Sequence, residues 1–514
     1  PSTAISSIED RVTERKKSRS KPSRRTSGGG RIGDHPILDF DRGRPVGFEL
    51  DGKPLGGYEN ETVAAALHAE GVRVLRRSIR HQRPRGFFCA IGRCSSCLMT
   101  VDGVPNVMTC VTPLREGMRV ETQRGKGMLP EVPAAEREPT TRGRDLGHVP
   151  IAVVGAGPAG LSAAIAAGRL GVPSLVIDEN GTPGGQLIKQ THMFFGSKEH
   201  HARTRGIDIG RELVAEVEDL PVELMLGTTA LGLYPGRVLS LLRDGEHLRA
   251  RAQAVVLAAG ASENMLAFDG CDLPGVYGAG AVQTLMNVHG VTPGEKVLMV
   301  GAGNIGLIVA YQLLQAGVRV AAVIDAAPRI GGYHVHAAKI RRAGVPILTS
   351  HTILRAEGAE SVESATICQV DDDWTPVPRA ETTLEVDTVC LAVGLTPNCE
   401  LALELGCADA YVGDLGGRVA VHDEDLETTV PGVYIAGDAS GIEEASTAML
   451  EGTLAGLAAA RAIGRDIDDD LLERLMEKAR AGLEELRRGP FGERPRFGKS
   501  RMVELAGAAR EDRA

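Results

Sequence analysis

The sequence predicts an α/β protein of several domains, on three observations. Two separate segments, 149–179 and 296–325, each run from an apolar strand through a glycine-rich turn into a helix and a second strand. Glycine is abundant, at 64 of 514 residues, as suits tight turns and close backbone approaches. Four of the nine cysteines fall within 22 residues, where a metal explains them better than a disulfide framework does. A chain this long also exceeds one ordinary core, since single domains run to roughly 100–200 residues.

Taken from the N-terminus, residues 1–45 read as a disordered basic tail. Between Arg11 and Arg31 stand nine Lys/Arg against the single acid Glu14, followed shortly by polar, proline-containing sequence. From Val46 the alternation VGFELDG reads as a strand, and TVAAALHAEGVRVL as a helix with a glycine stop. These lead into the cysteines and define a domain over 46–130. Residues 131–147 are rich in proline, glycine and charge and read as a linker. The first glycine-turn unit places a dinucleotide-binding domain at 148–270 and the second another at 271–400, and a glycine-rich segment at 401–465 completes the first. Residues 466–514 hold one amphipathic helix, DDDLLERLMEKARAGLEEL, and a basic end.

Composition excludes several classes. Aromatics at 3% disfavour a base-stacking surface, and the net charge of -9 disfavours a polyanion partner, so no nucleic-acid role is expected. No apolar run reaches the roughly 18 residues of a membrane span, and the N-terminal residues carry no apolar signal segment, so the expected location is cytoplasmic.

The run GFFCAIGRCSSCLMTVDGVPNVMTC spaces Cys89-x4-Cys94-x2-Cys97-x12-Cys110. That loop is the spacing of plant-type [2Fe-2S] ligation, with Gly92, Ser95 and Ser96 small enough to let backbone amides point at sulfur. A structural zinc site accounts for Cys94-x2-Cys97 but needs no x4 loop. With the strand and helix before it, the segment reads as a β-grasp ferredoxin-like domain. Cys271, Cys368, Cys390, Cys399 and Cys407 read as buried small hydrophobes.

PIAVVGAGPAGLSAAIAAGRLGVPSLVIDENG gives the first Rossmann-like unit. Gly155 permits the tight turn, Gly157 lets a pyrophosphate approach, Gly160 lets helix and strand pack, and Pro158 and Ala159 open the helix whose N-terminus favours phosphate. Asp178, or Glu179 beside it, is the candidate for the ribose hydroxyls. The segment GVYIAGDASGIEEA, ending its strand on Gly437-Asp438, resembles the flavin-side segment of two-dinucleotide-domain flavoproteins of the glutathione/thioredoxin reductase class. That resemblance implies FAD, with Asp438 at the ribityl chain. Gly260 and Gly394 end strands that close such domains, and Gly184-Gly185-Gln186-Leu187 resembles the turn lying under the flavin in the thioredoxin reductase branch. The second unit carries Gly301, Gly303 and Gly306, with Asn304 and Ile305 opening its helix and Asp325 at the next strand tip. An acid there favours NAD over NADP, and a scaffold without a working nicotinamide site is the alternative.

No CxxC or CxxxxC lies outside the cluster loop, and GGQLIKQTHMFFG after the first helix has no cysteine, so thiol reduction is not expected. His192, His201, His334 and His336 read as surface or core residues, and no acid–base residue is assigned. With GRCSSCLMTVDGVPN, DLPGVYGAGAVQTLMN, GNIGLIVAYQLLQAG, GGYHVHAAKIRRAGVPILTSHTI and GDASGIEEASTAMLEG in this order, the chain from about residue 46 onward resembles a family of alpha subunits. These are the alpha subunits of opine, hydroxyproline and proline dehydrogenases, hydrogen cyanide synthase and heterotetrameric sarcosine oxidase. The resemblance implies one subunit of an oxidoreductase that acts on CH–NH bonds, with substrate oxidised on a D-amino-acid-oxidase-like beta subunit. It also implies further small subunits, an FMN at a subunit interface, and NAD or another adenine nucleotide beside FAD. The rivals are a self-contained NADH-dependent acceptor reductase and a non-catalytic assembly subunit.

Overall fold

The computed structural model describes residues 30–128, 143–195, 198–464, 467–489 and 492–511. The chain divides into two units. One joins the segment ending at Met128 to Ala267–Leu391, and the other joins Leu129–Leu266 to Ala392–Ala514.

In chain order the first unit begins with β1 (Pro45–Leu50), β2 (Lys53–Tyr58) and α1 (Val63–Ala69). A short hairpin of β3 (Arg76–Arg77) and β4 (Pro84–Arg85) follows, then β5 (Leu98–Val101), β6 (Val104–Met108) and β7 (Arg119–Glu121). Asp51 and Gly52, both at positive φ, close the β1–β2 hairpin. Thr62 caps α1 by accepting from the Ala65 N–H at 3.3 Å, and every residue of this alanine-rich helix is buried. The sheet order is β2-β1-β7-β5-β6, with β1 and β7 parallel, so the first and last strands meet at its centre.

The second unit opens with β8 (Arg144–Val154), α2 (Pro158–Arg169), β9 (Ser174–Ile177), α3 (Gly206–Glu218) and β10 (Val222–Met225). It continues through β11 (Thr228–Tyr234), β12 (Val238–Arg243), β13 (Glu246–Leu257) and β14 (Ala261–Glu263). Strands β10, β9, β8 and β13 are parallel neighbours. Strand β9 and the ends of β8 and β13 are buried on both faces, which is why they read as unbroken apolar runs. The N-terminal half of β13 also pairs antiparallel with β12, which extends the sheet into the β11–β12 hairpin.

The chain then returns to the first unit with β15 (Val276–Gly278), α4 (Ala279–Gln283), β16 (Lys296–Val300), α5 (Asn304–Gln315), β17 (Arg319–Asp325), α6 (His334–Arg342) and β18 (Ile347–Thr349). A three-stranded meander follows, β19 (His351–Glu357), β20 (Ser364–Val370) and β21 (Pro376–Glu385), before β22 (Thr388–Leu391). Strands β15-β22-β16-β17-β18 make a parallel sheet. The last segment re-enters the second unit with β23 (Leu395–Pro397), α7 (Glu400–Glu404), β24 (Asp409–Val412), β25 (Gly417–Ala420) and β26 (Val433–Ile435), the last parallel to β13. Helices α8 (Ala445–Ala462), α9 (Asp469–Leu486) and α10 (Glu493–Glu511) end it.

Three segments differ from the sequence reading. Of the tail placed at 1–45, residues 1–29 lie outside the described residues, and residues 30–42 are partly packed, with Ile32 and His35 buried. The carboxylate of Glu61 is only 2% exposed and takes Arg31 at 2.8 Å, because a buried carboxylate needs a cation. Arg31 also lies 5.2 Å over the Tyr58 ring. Of the linker placed at 131–147, residues 131–142 lie outside the described residues, and Arg144 already begins β8, pairing with Leu248 on the long β13. The basic end after α9 is the helix α10. Its Pro495 stands in the first turn, where an N–H has no intrahelical acceptor, so a proline there is compatible with a helix start.

Among the described residues no helix is long and apolar enough to cross a membrane. Cys368, Cys390, Cys399 and Cys407 are buried and Cys271 is half-buried.

Helix α8 lies against α2 at backbone distance. A Cβ at Gly452 would stand 2.0 Å from the Ala159 carbonyl oxygen, and one at Gly456 2.2 Å from that of Ala163. Gly456→Ala should therefore destabilise the second unit by about 1–3 kcal/mol through overpacking, read as a fall in Tm with the cluster loop unaffected.

Candidate functional site

Three sites are built by the fold, and the cysteine loop is the first. Between β4 and β5 the chain turns through Ala90, Gly92 and Ser95, all at positive φ (57°, 71° and 56°). Two non-glycine residues in the left-handed region so close together mark a backbone held for a purpose, since such strain persists where the surroundings impose it. Thr109 closes the loop by donating its hydroxyl to the Cys97 carbonyl at 2.6 Å. Cys89, Cys97 and Cys110 are buried, and Cys94 is half-buried.

The four thiols touch in pairs: Cys89 with Cys94, Cys97 with Cys110, and Cys89 with Cys110. These contacts hold the Cys89 and Cys97 thiols below the ordinary value and push those of Cys94 and Cys110 up. Among the described residues no set of three or more His, Cys, Asp or Glu is gathered to hold one metal ion. Four thiols gathered as the pairs Cys89–Cys94 and Cys97–Cys110 are the donor set of two irons, each with two terminal thiolates. Buried beside them, Arg76 Nε has no hydrogen-bond partner in the chain, and the Cys94 and Cys97 sulfurs act electrostatically on its guanidinium. Four thiols and an orphaned cationic donor fit an anionic iron–sulfur group.

The second site gathers around the N-terminus of α2. Gly155 has φ 110°, and a Cβ there would stand 2.3 Å from the Ala258 carbonyl oxygen; a Cβ at Gly160 would stand 1.8 Å from the Gly155 oxygen. Gly157 is the N-cap with no side chain to cover the first-turn amides, and Pro158 opens the helix, so its N–H groups remain directed outward for phosphate. Ala159 meets Gly437, whose Cβ would be 2.8 Å from that of Ala159, and Gly185 approaches Gly157 similarly. Gly260, at φ 66°, follows β13, and its carbonyl accepts from Asn398 N–H at 3.0 Å. The fold thus brings Gly155, Gly157, Pro158, Ala159, Gly160, Gly185 and Gly437 together. Leu187 is different: it is fully buried in the core beneath the turn, so its side chain supports the turn. Gln186 is exposed.

Asp178 is engaged by its own neighbourhood. One carboxylate oxygen accepts from Ala156 N–H at 2.6 Å and the other from Asn180 N–H at 2.8 Å, which pins the glycine turn, and the next residue, Glu179, is exposed. The third site repeats this. Ala302 N–H donates to Asp325 at 2.7 Å and Ala327 N–H at 2.9 Å, with Gly301 N–H on the Ile324 carbonyl at 2.8 Å. The likeness continues further. Gly184 N–H donates to the Ala156 carbonyl, and Gly331 N–H to that of Ala302, so both turns are faced by a Gly-Gly pair six residues after the aspartate. That equal spacing was available in the sequence and marks Gly331-Gly332 as part of the site. At the position of Glu179 the repeat has Ala326. Asn304 opens α5 and accepts from Tyr333 N–H at 2.8 Å, Gly306 is buried, and Ile305 is 41% exposed.

The residues missed by sequence reasoning surround Gly437-Asp438. Glu451 of α8, fully buried, accepts from Gly437 N–H at 2.9 Å and Ser440 Oγ at 2.7 Å. It is met by Arg487 at 2.6 Å and Lys499 at 2.7 Å. Arg487 also binds Glu443 at 2.6 Å. Burial alone would raise the Glu451 pKa, but Lys499 and Arg487 hold it down to about 2. Asp438 is pushed up to about 6 by burial and by the neighbouring Glu451 and Glu443, against the opposing charge of Lys499. His422 close by is buried and lowered to about 4, first by burial and then by Lys499, so it is neutral. Of the other histidines, His192 stacks on Phe194, His201 stands 3.6 Å from Glu212, His336 is buried against Tyr333, and His334 is exposed.

Known proteins resemble the chain along nearly its whole length. Residues 149–452 match the pyridine nucleotide-disulphide oxidoreductase family, and residues 43–125 match a 2Fe-2S iron-sulfur cluster binding domain. The alpha subunit of sarcosine oxidase from Rhizobium meliloti (strain 1021) is 27% identical over 487 residues, covering 82% of this chain and 46% of that protein. The opine oxidase A subunit of the same strain is 34% identical over 345 residues, covering 62% and 72%. The chain spans about half the length of the sarcosine oxidase alpha subunits it matches. In fold it is similar to L-proline dehydrogenase from P. horikoshii, with TM-score 0.67, 24% identity, and coverage of 87% of this chain and 79% of that one.

Glu451→Gln should destabilise the second unit by about 3–5 kcal/mol at neutral pH, because Arg487 and Lys499 lose their buried counter-charge. The folded pKa lies below the ordinary 4.5, so the stabilisation is present above that value and is lost as pH falls from there through about 2. Wild type and variant should therefore converge in acid denaturation curves near the low end of that window.

Proposed function

The chain belongs to the pyridine nucleotide-disulphide oxidoreductase family and to that of the opine oxidase A subunits, and from that premise we propose that it is the electron-transferring subunit of a heteromeric flavin-dependent oxidoreductase of amino or imino acids. It is an oxidoreductase with a [2Fe-2S] domain ahead of an FAD-binding fold. One observation carries the reading. The chain has what is needed to hold electron carriers, yet no CxxC or CxxxxC pair outside the cluster loop. A protein so equipped passes electrons that another subunit has taken from substrate.

The roles follow from the chain's own groups. Bound FAD supplies the step from two-electron to one-electron transfer, and the cluster supplies a one-electron outlet. Gly155, Gly157 and Gly160 admit the pyrophosphate, the α2 N-terminus balances its charge, Asp178 or Glu179 beside it is the candidate for the ribose, and Asp438 for the ribityl side. Cys89, Cys94, Cys97 and Cys110 hold the irons. Gly301, Gly303, Gly306 and Asp325 form a second dinucleotide turn for NAD or another adenine nucleotide. The partner is a D-amino-acid-oxidase-like beta subunit, with an FMN between subunits, and the substrate class is sarcosine-, opine- or proline-like amines. Sarcosine and opine oxidase relatives, by name, are themselves subunits.

The test is co-expression with such a beta subunit, followed by assay with an artificial electron acceptor over N-alkyl amino acids, opines and prolines. Activity only in the complex supports the proposal, and full turnover by the chain alone refutes it. Rapid bleaching of the flavin by NADH would favour a self-contained reductase instead.

Purified chain should contain about two irons with acid-labile sulfide. Cys94→Ser should lose the cluster absorption and keep the flavin, measured by iron assay and visible spectra.

A further inference from the structure

Arg76 carries a donor that nothing in the polypeptide receives. It lies on β3 opposite Arg85 of β4, and its backbone bridges to Gln123 beside β7. The Nε is buried without a partner, and among the described residues no carboxylate pairs with the guanidinium. Arg85, directly across the hairpin, has its own acid in Asp272 at 2.8 Å. Burial and the charge of Arg85 both lower the Arg76 pKa, and the neighbours that favour its charge are Cys97 and Cys94. Two cations facing each other across a hairpin repel, and a buried N–H without an acceptor is costly. A side chain bearing both costs is held for an acceptor that arrives with the cofactor.

We infer that Arg76 is a positioning residue for the iron–sulfur group, donating its Nε–H to sulfur on the Cys94–Cys97 side and thereby raising the midpoint potential. The inference rests on the reading that the four thiols hold a [2Fe-2S] cluster. Its sign is electrostatic. Reduction adds one electron to an anionic group, and a fixed cation with a directed N–H stabilises the more negative state. Lysine would keep the charge but not the planar Nε donor.

The experiment is a potentiometric titration of the full-length chain with dithionite and mediators, followed by the electron paramagnetic resonance signal of the reduced cluster. Arg76→Gln should keep about two irons per chain and shift the midpoint to more negative potential. Arg76→Lys should shift it less, and Arg85→Gln, whose cation is already paired with Asp272, least. An unchanged midpoint in Arg76→Gln overturns the inference. If Arg76→Gln does not retain iron, Arg76→Lys decides: a more negative midpoint supports the role and a wild-type midpoint overturns it. Wild-type protein with no iron would sink the cluster reading itself, and it is told apart by iron content before any titration.

Discussion

The buried carboxylate of Glu451 is the constraint on which the second unit depends. It sits on α8, which is already committed by glycine contacts to lie on α2, and it accepts from the Gly437 amide and the Ser440 hydroxyl. A charge at that depth would be untenable without Arg487, just past the end of α9, and Lys499 of α10. The two C-terminal helices are thus tied to the segment that would face a flavin. Three elements far apart in sequence share one ionic centre, and their mutual placement follows from satisfying it.

What the sequence disclosed was chemistry that must be local. The x4 and x2 spacings around Cys94 and the Gly155-x-Gly157-x-x-Gly160 turn are fixed by sulfur–iron and phosphate–amide distances, so they survive as patterns in a linear text. The hidden part depends on partners distant in the chain. Arg31 reads as part of a solvated charge run because Glu61 and Glu70 are 30 and 39 residues away. Pro495 reads as part of a basic end because its place in a first turn is defined only by the helix that follows. Leu187 shares a motif with Gly185 and Gln186, but its side chain goes to the core, and only packing decides that.

The two glycine turns are near copies down to individual hydrogen bonds, and they differ at the strand tip. In each, the aspartate ties the loop to the amide between the first two glycines, a job within the protein. The residue after it is Glu179 in one copy and Ala326 in the other. An acid at a strand end therefore holds the loop in both copies, and its oxygens keep lone pairs for a ribose as well, so one aspartate serves both turn and ligand in this geometry.

The cluster-bearing domain is bound to the second dinucleotide fold by more than covalent linkage. Gly30 donates to Ala69 and accepts from Thr292, Arg42 reaches the His289 and Gly290 carbonyls, and the Gly278 amide binds the Phe88 carbonyl, next to Cys89. Phe87, Tyr277 and His68 fill the seam with ring contacts near 6 Å. A carrier clamped in this way is no tethered shuttle that swings between donor and acceptor. The position of the cysteine loop against this fold is therefore set by the contacts of the seam and not by the length of a linker.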